Sequence, residues 1–417
     1  MARLLLIVPS ATYRADAFLE AARRLGVEVV IGCEEPLALG GSMGVRALTL
    51  PLSDADAAAA AIVAHDAVTP LDAVVAVDDA GTVVAAEAGR RLGVHHNPPD
   101  SVTATRDKLA MRALLARAEV PQPAFTALAP GEDPQDVAEA VARVGLPCVI
   151  KPTSLSGSQG VLRADTVAEA LSVARRVRAI ADDAGVAGDV ALLVERFVPG
   201  VEVAVEGLVT GGQLTALAVF DKPDPLDGPA FEETIYVTPS RLPPAGLDAV
   251  LAATAAATAA LGLRHGPVHA EVRLDDGRAQ VIEVAARTIG GLCSRTLAFS
   301  TGRTLEELVI AHALGMPPDT DGAEGASGVL MIPIPVAGTL LAVDGVADAL
   351  SVPGVTEVEI TVAVGRPVVP VPEGDRYLGF VFARDSGPER VERALRRALA
   401  CLEVRVDPAG APRCATP

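Results

Sequence analysis

Glu271 and Glu283 each stand six residues from Gly277, within two strand-like segments that flank the tight turn Asp275-Asp276-Gly277-Arg278. Pairing that is symmetrical about this glycine places the two carboxylates directly opposite each other on one face of a hairpin, with Cβ atoms roughly 5 Å apart. Like charges at that spacing repel, so the pair costs stability until a cation arrives. A divalent, oxygen-seeking ion such as Mg²⁺ converts the repulsion into a binding site, most naturally one shared with substrate phosphates. His269 and Ala285 fall on the same face by the two-residue period, and Arg287 follows just past the strand end. The competing reading is a solvated hairpin whose acids never meet.

The remainder of the chain decides between them. Its 417 residues leave room for two to four domains with a substantial core. Short apolar runs alternate with Ala-rich helical stretches, the pattern of an α/β enzyme. The net charge of −18, with no large basic block, argues against nucleic acid or an anionic membrane as partner. The start, Arg3 to Pro9, has too short an apolar core for a signal peptide and reads as a buried first strand. No segment reaches the length of a membrane span, so a cytoplasmic protein is expected. Cys33, Cys148, Cys293, Cys401 and Cys414 are scattered without CxxC spacing, which points to thiols rather than disulfides or structural zinc.

Over the first hundred residues strand and helix alternate. Leu4 to Val8 is apolar throughout, Phe18, Ala21, Ala22 and Leu25 recur at helical spacing, and Gly26 precedes the next strand, Val27 to Ile31. Ala73 to Val77, a helix through Leu92, and Gly93 repeat the unit. A small Rossmann-like domain over residues 1–98 is expected, but without GxGxxG after its first strand it carries no dinucleotide signature. Asn97-Pro98-Pro99-Asp100 marks its end. Farther on, Val201 to Val209 and Gln213 to Phe220 alternate around Gly211-Gly212 as a second hairpin. After Met316-Pro317-Pro318 a Gly-rich linker opens a final segment of short strands and one helix, Pro388 to Leu402.

Two further segments carry chemistry. The loop Ser154-Leu155-Ser156-Gly157-Ser158-Gln159-Gly160 follows a strand ending in Lys151, and its small residues let backbone N–H groups turn toward an anion. A plain surface turn has the same composition, and the GK[ST] of a Walker loop is absent. Lys151 points toward the same phosphates, and Lys108 can approach from the preceding helix. Either could be a solvated ammonium, but lysine occurs only at 108, 151 and 222, which makes each position look chosen. In the strand crossing Glu195-Arg196-Phe197-Val198, apolar walls and exposed backbone groups suit an adenine ring, and Glu202 is placed to accept hydrogen bonds from ribose hydroxyls.

Taken in order, these segments resemble the ATP-grasp superfamily of carboxylate–amine ligases. The resemblance rests on Arg106-Asp107-Lys108, Val149-Ile150-Lys151-Pro152, the loop to Gly160, Val194 to Gly200 with Glu202, and Glu271 and Glu283 with Arg287. It implies an ATP-grasp fold, α/β with an α+β ATP-binding part. That part spans residues 99–315, with a mobile lid within 121–200, followed by a C-terminal α+β substrate-side extension over 316–417. It further implies that Lys108, Lys151 and the loop hold ATP phosphates, the crossing binds adenine, and Glu271 and Glu283 hold Mg²⁺ or Mn²⁺. Within the superfamily the chain looks most like the dipeptide-forming L-amino-acid ligases. The stretches that carry this are Phe220 to Pro223, Phe231 to Tyr236, Gly266 to Glu271, Gly290-Gly291 and Tyr377 to Ala383.

That resemblance implies ligation of one amino acid's carboxylate to another's amine through an acyl phosphate, giving ADP and phosphate. Arg287 is then expected to fix the carboxylate and later the oxyanion, with a structural salt bridge as its alternative. His269 is expected to orient substrate or assist proton removal from the amine, with a core histidine as its alternative. Glu232 or Glu233 could receive a substrate ammonium, beside Gly290 and Gly291. A homodimer is compatible with the family. Ala285 stands where many relatives place a metal-binding asparagine, leaving Glu283 more of the task. It also keeps open a catalytically inactive nucleotide-binding regulator; an acyl-phosphate ligase or carboxylase acting on a nucleotide precursor is the other alternative.

Overall fold

The computed structural model describes residues 1–10, 12, 14–35, 46–186, 190–297, 302–316 and 324–408. Cys414 and the linker residues 317–323 lie outside them. The run Leu4-Leu5-Leu6-Ile7 lies in the strand Arg3–Ile7 and is wholly buried, because parallel neighbours Glu28–Cys33 and Ala73–Ala76 flank it and helices cover both faces. Arg46–Thr49 completes this four-stranded sheet. Leu4 and Leu6 pack with Phe18 and Ala22 of the helix Ala15–Arg24, whereas Leu5 and Ile7 pack with Ile62 of Ala55–Asp66 and Val84 of Asp79–Leu92. Burial of each such side chain contributes roughly 1.5–3 kcal/mol.

A second, eight-stranded antiparallel sheet forms the body of the molecule. Its order is Arg278–Ala285, His265–Asp275, Val201–Thr210, Gln213–Asp221, Ile235–Thr238, Ala326–Ile332, Gly379–Asp385 and Val355–Ile360. The last three strands come from beyond residue 316, so that segment extends the central sheet, while Gly338–Asp344, Pro367–Val368 and Glu403–Asp407 make a separate small sheet. A fourth sheet, formed by Phe125–Leu128, Leu192–Arg196, Cys148–Pro152 and Leu162–Ala164, has its own core with the helices Pro134–Val144 and Val167–Asp183. Among the described residues no helix is long and apolar enough to cross a membrane.

The two-residue period of the central strands sorts their side chains. Val203, Val205, Val268, Ala270 and Val272 pack against Val250 and Ala257 of the helix Pro244–Ala260 and against Met111 and Leu115 of Lys108–Arg117. Glu202, Glu206, His269, Glu271 and Arg273 therefore share the opposite face. Register sets them side by side there: His269 pairs with Glu206, Arg273 with Glu202, and Glu271 with Ala204.

Candidate active site

Glu271 is paired with Glu283, and His269 with Ala285. The route to that register differs from the symmetrical one. The turn is a two-residue turn with positive φ at Asp276 and Gly277 (45° and 75°), and from Asp275↔Arg278 to Val272↔Val281 the pairing is centred between those two residues. Continued, it would oppose Glu271 with Ile282. A bulge next to Val272 inserts one residue and brings Glu283 opposite Glu271. Arg112, fully buried, donates from Nη1 to the Val281 carbonyl at 3.0 Å and from Nη2 to the Ile282 carbonyl at 2.7 Å, anchoring the bulge.

The facing acids are not left to repel each other. Lys222 Nζ lies 3.1 Å from Glu271 and 2.7 Å from Glu202, and also donates to Glu233. Burial alone would lower its pKa, but Glu202, Glu233 and Glu271 together hold it well above the ordinary lysine value. Glu271 answers in kind: burial would raise its pKa, and Lys222 and His269 bring it well below the usual carboxylate range. Lys108 Nζ sits 3.6 Å from Glu283 and donates to the Leu155 carbonyl.

All three lysines of the chain are buried: Lys108 and Lys151 line this one cleft, and Lys222 sits behind its wall against Glu202, Glu233 and Glu271. The solvated alternative for Lys108 and Lys151 is thereby set aside. Lys151 Nζ is 2.7 Å from Glu195, and Arg112 Nε is 2.5 Å from the same carboxylate. Burial would push Glu195 upward, yet the two cations hold it down at about 2, while burial lowers Lys151 below its ordinary value. One acid between two cations leaves a net positive charge, which an anion in the cleft would complete. Glu195 thus holds Lys151 in place at the cleft wall.

The Ser/Gly loop supplies Ser156, Gly157 and Ser158 to the cleft wall, with positive φ at Gly157 and Ser158 (65° and 59°) turning the backbone. Gln159 and Gly160 do not line the cleft. Their donors go to the C-terminal segment: Gln159 Nε2 to the Glu373 carbonyl and the Gly160 N–H to the Pro372 carbonyl, each at 2.9 Å. Arg196, Phe197 and Val198 do line it. Glu202 is there too, with one carboxylate oxygen on Lys222 and the other 2.8 Å from Arg273 Nε, so a ribose hydroxyl would have to share lone pairs with these cations.

His269 Nδ1 lies 2.5 Å from Glu206 and Nε2 lies 3.6 Å from Glu271. Burial would lower its pKa; Glu206 and Glu271 raise it to about 9. At neutral pH it is an imidazolium, which fits the orienting role and not proton removal. Arg287 Nε donates to Asp79 at 2.8 Å, at the first turn of the helix Asp79–Leu92, and Asp79 raises the arginine's pKa against the effect of burial. Arg287 nevertheless lines the cleft, as do Gly290, Gly291 and Glu233. Glu232 does not; it is half-buried, and desolvation raises its pKa.

Sequence reasoning did not place Arg112, Asp79, Glu206 or Arg273, and left Lys222 without a role. Nor did it find Tyr236, Cys293, Met331, Asp375 and Arg376, which complete the wall. The scarcity of lysine was the available signal for Lys222. The cleft's acids offer only carboxylate oxygens, the donor set of a hard divalent ion. Oxygens of Glu202, Glu233 and Glu271 lie within 4.8 Å of one another, with Lys222 seated on all three, while Glu283, opposite Glu271, has Lys108 at 3.6 Å.

A family model for the ATP-grasp domain matches residues 144–296, one for the ATP-grasp N-terminal domain matches 19–96, and one for L-amino acid ligase C-terminal domain 2 matches 330–407. An uncharacterised protein of Sinorhizobium fredii, y4rH, is 26% identical over 98% of this chain and 84% of its own length. Alanine–anticapsin ligase of Bacillus subtilis is 28% identical over 49% of this chain and 46% of the ligase, so the match spans about half of that relative. The crystal structure of an L-amino acid ligase from Bacillus licheniformis superposes with a TM-score of 0.80 at 25% identity, covering 98% of this chain and 99% of that one.

Proposed function

The chain belongs to the ATP-grasp superfamily, and from that premise we propose that it is an ATP-dependent ligase joining the carboxylate of one amino acid to the amine of another. The observation that carries the reading is the placement of two buried lysines, Lys108 and Lys151, on the wall of one cleft, beside two glutamates opposed across a hairpin. The match to an L-amino acid ligase C-terminal domain supports amino acids as the substrate class. That domain's segment contributes Met331, Asp375, Arg376, Tyr377 and Phe380 to the wall.

In this reading the phosphates of ATP lie against Lys151, Lys108 and the backbone of Ser156 to Ser158. The donor carboxylate attacks the γ-phosphorus and ADP leaves, giving an acyl phosphate; the amine then adds to the acyl carbon and phosphate departs from the tetrahedral intermediate. Glu271 and Glu283 would hold Mg²⁺, which when bound offsets negative charge on the phosphoryl oxygens. Arg287, fixed at Nε by Asp79, presents its remaining N–H groups to the reacting carboxylate and to the oxyanion. His269, charged and bound to Glu206, holds Glu271 in place. Small-molecule amino acids and ATP are the proposed partners, in the cytoplasm, as a monomer or homodimer.

The experiment is a screen of L-amino-acid pairs with Mg²⁺–ATP for phosphate release, with products read by mass spectrometry. ADP, phosphate and a dipeptide mass are expected only when a suitable pair is present. AMP and pyrophosphate, or ADP release indifferent to amino acids, would overturn the reading.

A further inference from the structure

Six lysines and arginines are buried among the described residues: Arg14, Lys108, Arg112, Lys151, Lys222 and Arg273. Five of them have a carboxylate within 4.0 Å, at Glu283, Glu195, Glu195, Glu202 and Glu202 respectively. Arg14 has none among the described residues. Its Nη2 donates to Thr288 Oγ1, its guanidinium carbon lies 5.7 Å from the centre of the Phe18 ring, and its Nη1 is buried without any hydrogen-bond partner. An uncompensated buried charge is expensive in a fold and is retained where a counter-ion arrives with a ligand.

The position of Arg14 says which cavity that ligand occupies. Thr288, its one neutral partner, stands between Arg287 and Ile289, both on the cleft wall. Cys293, also on that wall, is close enough for the Arg14 charge to act on its thiol. The guanidinium thus sits one layer behind the wall, between Thr288 and the Phe18 ring of the N-terminal domain's first helix. Nη1 is shielded as it stands, so engagement requires the side chain to turn toward Cys293.

We propose that Arg14 receives the α-carboxylate of the amino acid that supplies the amine, an inference that rests on the ligase reading above. Ligation involves two carboxylates with different fates. The donor's loses its charge on becoming an acyl phosphate and then an amide. The acceptor's passes unchanged from substrate to product, so it alone neutralises a fixed cation at every stage. Arg14 is a substrate-positioning residue on this account, and the acceptor must be an α-amino acid or a peptide ending in a free carboxylate, not a simple amine.

The test uses the best acceptor from the phosphate-release screen and its α-carboxamide, for example L-alanine and L-alaninamide, at saturating ATP and donor. Wild-type protein should prefer the acid by about 10- to 100-fold in kcat/KM, the scale of a hydrogen bond to a charged group. Arg14→Met should raise the KM of the acid acceptor by a similar factor, leave the KM values for ATP and donor within about twofold, and leave the amide unaffected; Arg14→Lys should recover part of the loss. Equal loss with acid and amide would make Arg14 structural and overturn the proposal, as would a rise confined to the donor's KM. If Arg14→Met fails to fold, the wild-type comparison and Arg14→Lys decide, and a wild type indifferent to acid and amide refutes it. Absence of phosphate release with any pair would instead sink the ligase reading, and this inference with it.

Discussion

Replacing Glu271 by Gln tests how the facing acids are held. Two opposed carboxylates by themselves predict that neutralising either one relieves the metal-free protein. The structure reverses that sign for Glu271, because Lys222 at 3.1 Å and His269 at 3.6 Å already compensate it and hold its pKa well below the usual range. Lys222 keeps Glu202 and Glu233 in the variant and His269 keeps Glu206, so the loss is that of one charge-assisted contact, not of the whole network. About 1.5–3 kcal/mol of destabilisation is expected at pH 7. A carboxylate whose folded pKa is depressed contributes stability above its unfolded value near 4.5, and loses it as pH falls below that. The deficit of Glu271→Gln should therefore be full at pH 7 and shrink below about pH 4.5. Glu283→Gln, whose side chain is 25% exposed and has Lys108 only at 3.6 Å, should change stability by less than about 1 kcal/mol. Denaturant unfolding of both variants without nucleotide reads these effects, and phosphate release reads activity, which both should lose. A Glu271→Gln protein as stable as wild type, or more so, would refute the reasoning and show that repulsion dominates the hairpin.

Three other outcomes follow from the same geometry. Lys151→Met should reduce turnover by roughly 10²-fold or more, the scale of removing one preorganised charge-stabilising donor; near-normal phosphate release in a folded variant would place the nucleotide elsewhere. Because the pKa of His269 rises from 6.5 to about 9, its contribution is complete below pH 6.5 and lost as pH climbs through 9. A wild-type stability advantage of about 3 kcal/mol over His269→Gln should fade across that window, and a pH-independent difference would contradict the charged assignment. Arg112→Met strips Glu195 of one of its two cations and the bulge of both its anchors, and should cost at least about 3 kcal/mol. It should also abolish the Mg²⁺–ATP-dependent rise in melting temperature, and retention of that rise would mean the bulge stands without it.

Much of the site follows from local sequence. A strictly alternating strand commits each side chain to one face, so the company of His269, Glu271 and Arg273 is decided by the period of two alone. Leu4 to Ile7 announce a strand buried on both sides by lacking any polar alternation. The scarcity of lysine already marked three positions, and all three proved to be buried, two of them on the cleft wall and Lys222 against three of its acids. What lies beyond depends on contacts across tens to hundreds of residues, to which local periodicity is blind. The opposition of Glu271 and Glu283 was read as symmetry about Gly277, but it exists because Arg112, some 170 positions away, holds a bulge at Ile282. Asp79 reaches Arg287 across 208 positions, and the Ser/Gly loop spends two of its donors on a segment 214 positions on. Charge states are set the same way, since burial and the neighbours that register and packing bring together decide them: His269 is an imidazolium because Glu206 stands opposite it in the adjacent strand. Composition and period thus determined which residue types meet on a face, while tertiary packing alone decided which ions pair there, because charge energies depend on distances of a few ångströms that only the assembled fold specifies.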